Sequence, residues 1–507
     1  MTGSSQLQRQ LSKSKFVAGV QCLKRLYLQV HLPELATEMD EGTEAILDQG
    51  HAVGLLAHQA FPGGVAVAQG HDELGAAIDV TQRLVADPKV PAIFEATFRY
   101  QGVLVRVDVL ERVRRSRWRV IEVKSTTSVK DYHLYDVAIQ RYVVSGCSLN
   151  VAAACMMHLN REYVYDGREY RPEKLFTIEN TTAEVDGLEP ELPAMLKEQR
   201  VVLNRKSPPN IEPGPQCGDP IPCEFYEQCH EPLPDHHVSY LPRISQAKID
   251  SLLKQGVTLI SEIPEGFPLG TLASRACDAV QRGTTWFNEE LRQKLRELKY
   301  PLSFMDFETL YPGIPRYAGM RPYDHIPFQW SVHRQENPNA GLEHFEFLAA
   351  DDSDPRGQFI ESLCRVLKGK GHVVVYNQSF ESNRLGELAA WLPEYAGQIE
   401  QIQNRLWDLL PVVRGNVYHP GFRGSYSIKS VLPALIPGMT YEGMEIANGG
   451  EAGLAWDHLT RGGLDDAQKR RLRGALLRYC GQDTRAMARL IESLRGSVAN
   501  RSPRAAP

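Results

Sequence analysis

The sequence predicts a mixed α/β protein in which two strand-bearing parts are separated by a helical stretch. Three observations carry this reading. Residues 92–124 hold three strand-like runs punctuated by turns. Residues 302–308 and 372–376 are apolar strand patterns set among helical ones. Residues 235–300 are helical in pattern and lack paired acids. A chain of 507 residues suggests about three domains on size alone. The composition, 42% hydrophobic and 23% charged, is that of an ordinary soluble globular protein. No apolar run approaches the ~20 residues of a membrane span. The opening MTGSSQLQRQLSKSKF lacks the apolar core of a secretory signal, so a cytoplasmic location is expected. A net charge of −5 does not advertise nucleic-acid binding, although phosphate contacts need only local basic patches. Two such patches stand out: Arg112, Arg114, Arg115, Arg117 and Arg119, and then Lys469, Arg470, Arg471, Arg473 and Arg478. A solvated charged face is the plain alternative for each.

Taken in order, Ser14 to Leu28 reads as a helix containing Cys22, which by itself is a small core residue. A second helical stretch carries Gly50-His51 before Ala52, Val53, Leu55 and Leu56, and a lone histidine there reads as structural. The strand 92–100 alternates Glu95, Thr97 and Arg99 with Ala96, Phe98 and Tyr100. After the turn Gln101-Gly102, residues 103–110 put Val103, Val105 and Val107 on one face and Arg106 and Asp108 on the other. A third strand, Trp118 to Lys124, places Glu122 and Lys124 on a shared face. Such a meander sets Asp108 beside Glu122 and Lys124. Two acids there suit Mg²⁺ or Mn²⁺, and a fixed lysine suits the charge that develops in phosphoryl transfer. A helix with Tyr135, Gln140 and Tyr142 follows.

This arrangement resembles the PD-(D/E)xK nucleases of the RecB type, which implies a restriction-endonuclease-like domain over residues 1–234. The resemblance makes His51 the first-motif metal ligand, Asp108 the second motif, Glu122 and Lys124 the third, and Gln140 the glutamine of the following helix. Glu95 is a further candidate. The usual Q-x-x-x-Y is broken, because Val144 stands where tyrosine is expected and Tyr142 is the nearest substitute.

Nine cysteines are present. Clustered cysteines in a cytoplasmic chain suggest metal before disulfide. Cys217, Cys223 and Cys229, with five residues between each pair, lie in a Pro/Gly-rich segment, residues 207–234. A cluster or zinc wants four ligands, and Cys22 is the best fourth. The pattern is similar to the iron-sulfur RecB-type nucleases, such as the CRISPR-adaptation and AddB enzymes. That likeness implies a [4Fe-4S] cluster stapling the two ends of the domain. A Zn²⁺ site of three cysteines and His230 is the alternative. The other five cysteines, Cys480 among them, read as free core thiols.

Residues 235–300 form a helical linker, with Ile244 to Ile263 faintly like a helix-hairpin-helix around Gly256. Beyond it, Ser303-Phe304-Met305-Asp306-Phe307-Glu308-Thr309 reads as a strand whose two acids share a face. Next come strands near 328–333 and 344–348, a helix near 355–369, and the strand 372–376. Glu381 then sits in the first turn of a helix, with Ser379 as its expected cap. Helices continue to 414, through Trp407-Asp408-Leu409-Leu410. In a long final helix, Tyr479 and Asp483 are i and i+4 and share a face.

D-x-E, N-x-x-F-E and Y-x-x-x-D in this order resemble the DnaQ-type DEDD exonucleases of the tyrosine (DEDDy) subclass. Ser425-Tyr426-Ser427-Ile428-Lys429 matches the Ser-x-Lys helix start of such domains. Glu381 is a departure, because the family carries aspartate there. The resemblance implies a ribonuclease H-like domain over residues 301–495 with 3′ to 5′ polarity, its metals held by Asp306, Glu308, Glu381 and Asp483. Tyr479 would orient or deprotonate water. The region as a whole is similar to a bacterial family of unknown function in which a DEDD-like part follows a RecB-like one. The expectation is a nuclease with two active sites, acting on DNA in repair or defence. The alternatives are an RNA exonuclease, or a silent nucleic-acid clamp serving a helicase. Residues 496–507 read as a disordered tail.

Overall fold

The computed structural model describes residues 11–114 and 116–499. Arg115 of the first basic patch and residues 500–507 of the expected tail lie outside them. The chain divides into two units. One runs to Glu231 and takes in Pro312–Asp324; the other holds Pro232–Tyr311 and everything from His325 onward. Residues 235–300, expected as a linker, are therefore part of the second unit. Among the described residues no helix is long and apolar enough to cross a membrane.

The first unit is built on a mixed seven-stranded sheet. Its strands are β1 (Leu11–Ser12), β2 (Val65–Ala66), β3 (Ala92–Tyr100), β4 (Val103–Arg114), β5 (Arg117–Lys124), β6 (Asn150–Leu159) and β7 (Phe176–Asn180). The order is β2-β3-β4-β5-β6-β7, and β1 pairs with the start of β4. The expected meander forms with Val109 opposite Ile121, a register that sets Asp108 against Glu122. Apolar positions alternate in β5 and β6, so Val120, Ala154 and Met156 enter one core, and Ile121, Cys155 and Met157 another. β4 changes phase across Asp108, since Val107 lies in the first core and Val109 in the second. Facing Asp108 on β3, Glu95 has a left-handed φ of 57°, which a strand does not hold and which breaks the alternation.

Helices α1 (Lys13–Gln21), α2 (Leu23–His31), α3 (Glu41–His58), α4 (Leu74–Ala86), α5 (Asp131–Gly146) and α6 (Leu192–Leu203) are the longer helices of the unit. The stretch expected as one helix around Cys22 is two, because Cys22 adopts an extended backbone, φ −160° and ψ 121°, between α1 and α2. The segment Pro312–Asp324 is tied to this unit at several points. The Gly313 N–H donates to Gln49 Oε1 at 2.7 Å, Tyr170 donates to the Pro315 carbonyl at 2.9 Å, and the Tyr323 hydroxyl donates to the carbonyl of Ser125.

The second unit contains β9 (Leu302–Leu310), β10 (Ile326–Gln335), β11 (Glu343–Leu348), β12 (Val373–Val375) and β13 (Leu406–Asp408) in the order β11-β10-β9-β12-β13. β9, β10 and β11 are antiparallel, and β12 and β13 run parallel to β9. A short ladder joins β8 (Trp286–Phe287) and β14 (Val417–Tyr418). The helices that matter here are α7 (Gln246–Lys254), α8 (Thr271–Arg282), α9 (Arg356–Val366), α10 (Gln378–Trp391), α11 (Ile428–Leu435), α12 (Gly449–Arg461) and α13 (Asp466–Ala499). Met305 and Phe307 turn into the core against Phe359, Ile360 and Leu363 of α9. The alternate residues, Asp306 and Glu308, therefore face the other side of β9, where α12 and α13 pack.

Three local expectations differ from the structure. Residues 406–408, read as helical, form edge strand β13, and Asp408 caps the helix that follows. The helix-hairpin-helix does not close: after Gly256, φ 76°, there is a three-residue 3₁₀ turn, Ile260–Glu262, in place of a second helix. α13 runs on to Ala499, so residues 496–499 are helical.

Candidate metal centres

Four carboxylates meet in the second unit. Asp306 and Glu308 come from β9, Glu381 from the first turn of α10 and Asp483 from α13. Glu308, Glu381 and Asp483 are buried. Asp306 is pushed well above the usual carboxylate range by burial and by the charges of Asp483, Glu308 and Glu381. Burial and Asp483 do the same to Glu308. Asp483 rises to about 6 through burial, restrained by a Tyr441 hydrogen bond and by Lys429. Glu381 rises to about 8 through burial, with Asp408 adding to it. The salt bridges among the described residues include none of the four, and Glu381 Oε2 is buried without a hydrogen-bond partner. Carboxylates gathered this way repel one another until a cation arrives.

Local structure explains the placement. α10 begins at Gln378, after Asn377 in a left-handed conformation with φ 92°; the expected cap, Ser379, lies inside the helix. Asp408, at the end of β13, accepts from the backbone N–H groups of Asn377 and Gln378 at 3.0 Å each. Ser427 caps α11 as expected, accepting from the Lys429 N–H at 3.3 Å. That start directs Lys429 Nζ to the Tyr479 hydroxyl at 3.3 Å and over its ring. Burial and the carboxylates of Glu308 and Asp483 raise the Tyr479 phenol far above its ordinary value. Its place beside Lys429 and the carboxylates suits orienting or deprotonating a water.

Two residues join the site beyond the sequence reading: Tyr441, not singled out there, and Cys480, read as a free core thiol. Tyr441 donates to Asp483 Oδ1 at 2.5 Å. Cys480 Sγ lies in a group with carboxylate oxygens of Asp306 and Glu308, all within 4.8 Å of one another. Only the Y-x-x-x-D spacing pointed at this face of α13, and Cys480 is adjacent to Tyr479 on it.

The first unit gathers a second polar centre. Asp108 Oδ2 accepts from the Val123 N–H at 2.7 Å. Lys124 Nζ lies 2.8 Å from Glu122 and 2.7 Å from Asp136. Gln140 donates to Glu122 Oε2. The unforeseen member is Lys13. β1 takes the place beside the start of β4 that β5 leaves free, with Leu11 opposite Val103. The next residue after β1, Lys13, then sets Nζ 2.8 Å from both oxygens of Glu122 and 3.7 Å from Asp108. Burial acts against the Glu122 charge, yet Lys124 and Lys13 hold this carboxyl well below its usual range. Asp108 rises to about 7 through burial and the neighbouring Glu122.

His51 is not drawn into this group. On α3, Val53 and Ala57 face the core. His51 is two residues before Val53, about 200° away around a helix, and is exposed. Glu95 pairs instead with Arg106 at 3.3 Å. Tyr142 does not replace the missing tyrosine, since its hydroxyl donates to Gln101 Oε1 at 3.1 Å and its ring packs on Tyr100. The first basic patch is partly structural: Arg112 stacks on Trp118 and caps carbonyls of Val85 and Val90, and Arg119 pairs with Glu111.

Cys22, Cys217, Cys223 and Cys229 line one small cavity, and none is in a disulfide. Polar staples hold it shut. Gln21 Nε2 donates to the carbonyls of Gln216 and Ile221 at 2.7 Å, and Arg25 and Gln29 bind the Glu224 carboxylate at 2.9 and 2.6 Å. Four thiols on one cavity suit a thiolate-bound cluster or zinc. His230 is not among the lining residues and stacks on Tyr226. Among the described residues, no three of these sulfurs lie within 4.8 Å of one another.

Residues 303–427 match the family model "Domain of unknown function (DUF2779)". The match spans Asp306, Glu308 and Glu381 and stops short of Tyr479 and Asp483. The chain is also similar to "Uncharacterized protein MG366 homolog" of Mycoplasma pneumoniae, 26% identical over 227 residues, which is 41% of this chain and 34% of that protein. The chain thus spans about a third of that relative's length. No solved structure matches the chain.

Proposed function

We propose that this protein is a metal-dependent nuclease with two centres, a DEDDy-type 3′ to 5′ exonuclease in the second unit and a RecB-like nuclease in the first. The observation that carries the reading is the convergence of Asp306, Glu308, Glu381 and Asp483, three of them buried and Asp306 partly so, without an ion pair among the described residues. Folding such a set is unfavourable unless a cation compensates it. The strand order β11-β10-β9-β12-β13 supports the ribonuclease H-like assignment, and the Asp108–Glu122–Lys124–Gln140 group supports the restriction-endonuclease-like one.

Mg²⁺ or Mn²⁺ held by the four carboxylates would stabilise the attacking and leaving oxygens of an in-line displacement. Tyr479, held by Lys429, would orient or deprotonate the attacking water. In the first unit Asp108 and Glu122 would hold the cation. Lys124, fixed between Glu122 and Asp136, offsets charge on the phosphate. The four cysteines join α1 and α2 to residues 217–229, so a [4Fe-4S] cluster held by them, or a Zn²⁺ ion in its place, would act as a staple.

End-labelled single-stranded DNA, double-stranded DNA and RNA, each incubated with Mg²⁺ or Mn²⁺, test the activity. Degradation of DNA is expected. RNA as the sole substrate would select the RNA exonuclease, and no metal-dependent turnover of any of the three would leave a nucleic-acid clamp. Lys124→Ala should remove only the activity that survives Asp306→Ala. Loss of both activities in a folded single variant would count against two independent centres. The cysteine site has its own readout. Anaerobically purified protein should be brown with broad absorption near ~400 nm, and Cys223→Ser should bleach it. Colourless protein containing one equivalent of zinc would reject the cluster.

A further inference from the structure

We propose that Cys480, Asp306 and Glu308 form a binding site for thiophilic divalent ions, Zn²⁺ and Cd²⁺ in class, overlapping the exonuclease metal site. The inference rests on the reading of Asp306 and Glu308 as cation ligands and adds a third, softer one. One sulfur and two carboxylate oxygens lie within 4.8 Å of one another, a compact facial set for a borderline ion. The backbone fixes that proximity. Cys480 follows Tyr479 on α13, and its thiol points at β9, 3.8 Å from the Asp306 carbonyl oxygen. The flanking residues Leu476, Tyr479, Asp483 and Thr484 are buried, so the sulfur has little room to turn away.

The chemistry separates two kinds of ion. Mg²⁺ is hard, prefers oxygen and makes no use of a thiol. Zn²⁺ takes cysteine sulfur and carboxylate oxygen together. On binding, the Cys480 S–H bond breaks, its proton leaves to water, and the sulfur lone pair forms the new bond. An ion held on the sulfur shares Asp306 and Glu308 with the catalytic pair and excludes it. The consequence is inhibition by zinc at concentrations that leave a thiol-free carboxylate site working with Mn²⁺.

Titration of the full-length protein with Cd²⁺ tests this through the thiolate-to-cadmium charge-transfer band. The other eight cysteines contribute equally to all variants, so the difference spectrum between wild type and Cys480→Ala isolates one sulfur. One thiolate's worth of absorption should be lost in Cys480→Ala and also in Asp306→Asn. Zn²⁺ should displace Mn²⁺ about 10–100-fold less effectively in Cys480→Ala, the range for loss of a metal-tuning side chain. Cys480→Ser, close in volume, serves if alanine fails to fold. Identical cadmium spectra and identical zinc displacement in wild type and variant would overturn the site while the carboxylate centre stands. Absence of Mn²⁺ binding to the wild type would remove both.

Discussion

Asp306→Asn is expected to lower the turnover of the proposed exonuclease by about 10³-fold while raising the melting temperature of the metal-free protein. The activity loss follows from geometry. Asp306 feels Asp483, Glu308 and Glu381 together, so it sits at the middle of the carboxylate group. Removing a carboxylate that would hold the catalytic cations sacrifices several kcal/mol of transition-state stabilisation, and each 1.36 kcal/mol is about tenfold. The stability gain has the opposite origin, because one buried charge fewer means less repulsion. The pH dependence separates this from a generic effect. An unfolded carboxyl titrates near about 4, whereas in the fold Asp483 titrates at about 6 and Glu381 at about 8. Between those values the native state holds more protons than the unfolded one. Stability therefore falls as pH rises from about 4 to about 8. Thermal melts in chelator should show that decline in the wild type and a shallower one in Asp306→Asn. Mn²⁺ should restore the wild type most at the high-pH end, through mass action on the native state. An Asp306→Asn variant that melts below the wild type in chelator at pH 8 would sink the account.

How much of this could be read from the chain depended on sequence distance. The strand period alone put Asp306 and Glu308 on one face, and the helix period did the same for Tyr479 and Asp483, because both are local rules. The hairpin logic set Asp108 against Glu122, since a short turn fixes register. What escaped the reading was non-local. Lys13 meets Glu122 across 109 positions, and a lysine at a helix start reads as a solvated charge. Tyr441 reaches Asp483 through a loop with no periodicity. The return of Pro312–Asp324 to the first unit is invisible in any pattern, because its ties are single side chains such as Gln49 and Tyr323. His51 illustrates the converse. A motif position suggested a ligand, yet the helical phase set by Val53 and Ala57 leaves it on the exposed side. β13 was missed because three residues are too short for a period, and its strand character comes from pairing with β12.

Lys13→Gln should tighten Mn²⁺ binding in the first unit by at least about tenfold while lowering the stability of the metal-free protein. Lys13 Nζ stands 2.8 Å from both Glu122 oxygens and 3.7 Å from Asp108, which is where a cation shared by the two acids would stand. Two cations cannot occupy one place, so divalent binding must displace the ammonium. Tenfold corresponds to about 1.4 kcal/mol, well inside the attraction of such a pair in a partly screened site. Without metal the balance reverses. Asp108, Glu122 and Asp136 lose one of their two ammonium partners, and a charge-assisted bond of this kind contributes about 2 kcal/mol. The variant should then melt lower in chelator and gain more from Mn²⁺ than the wild type. Calorimetric titration in the Asp306→Asn background isolates this centre from the other. Lys13→Arg retains the charge and should keep the weak wild-type affinity, which separates the effect of charge from that of side-chain shape. Equal or weaker Mn²⁺ binding by Lys13→Gln would mean that the ammonium acts beside the metal rather than in its place.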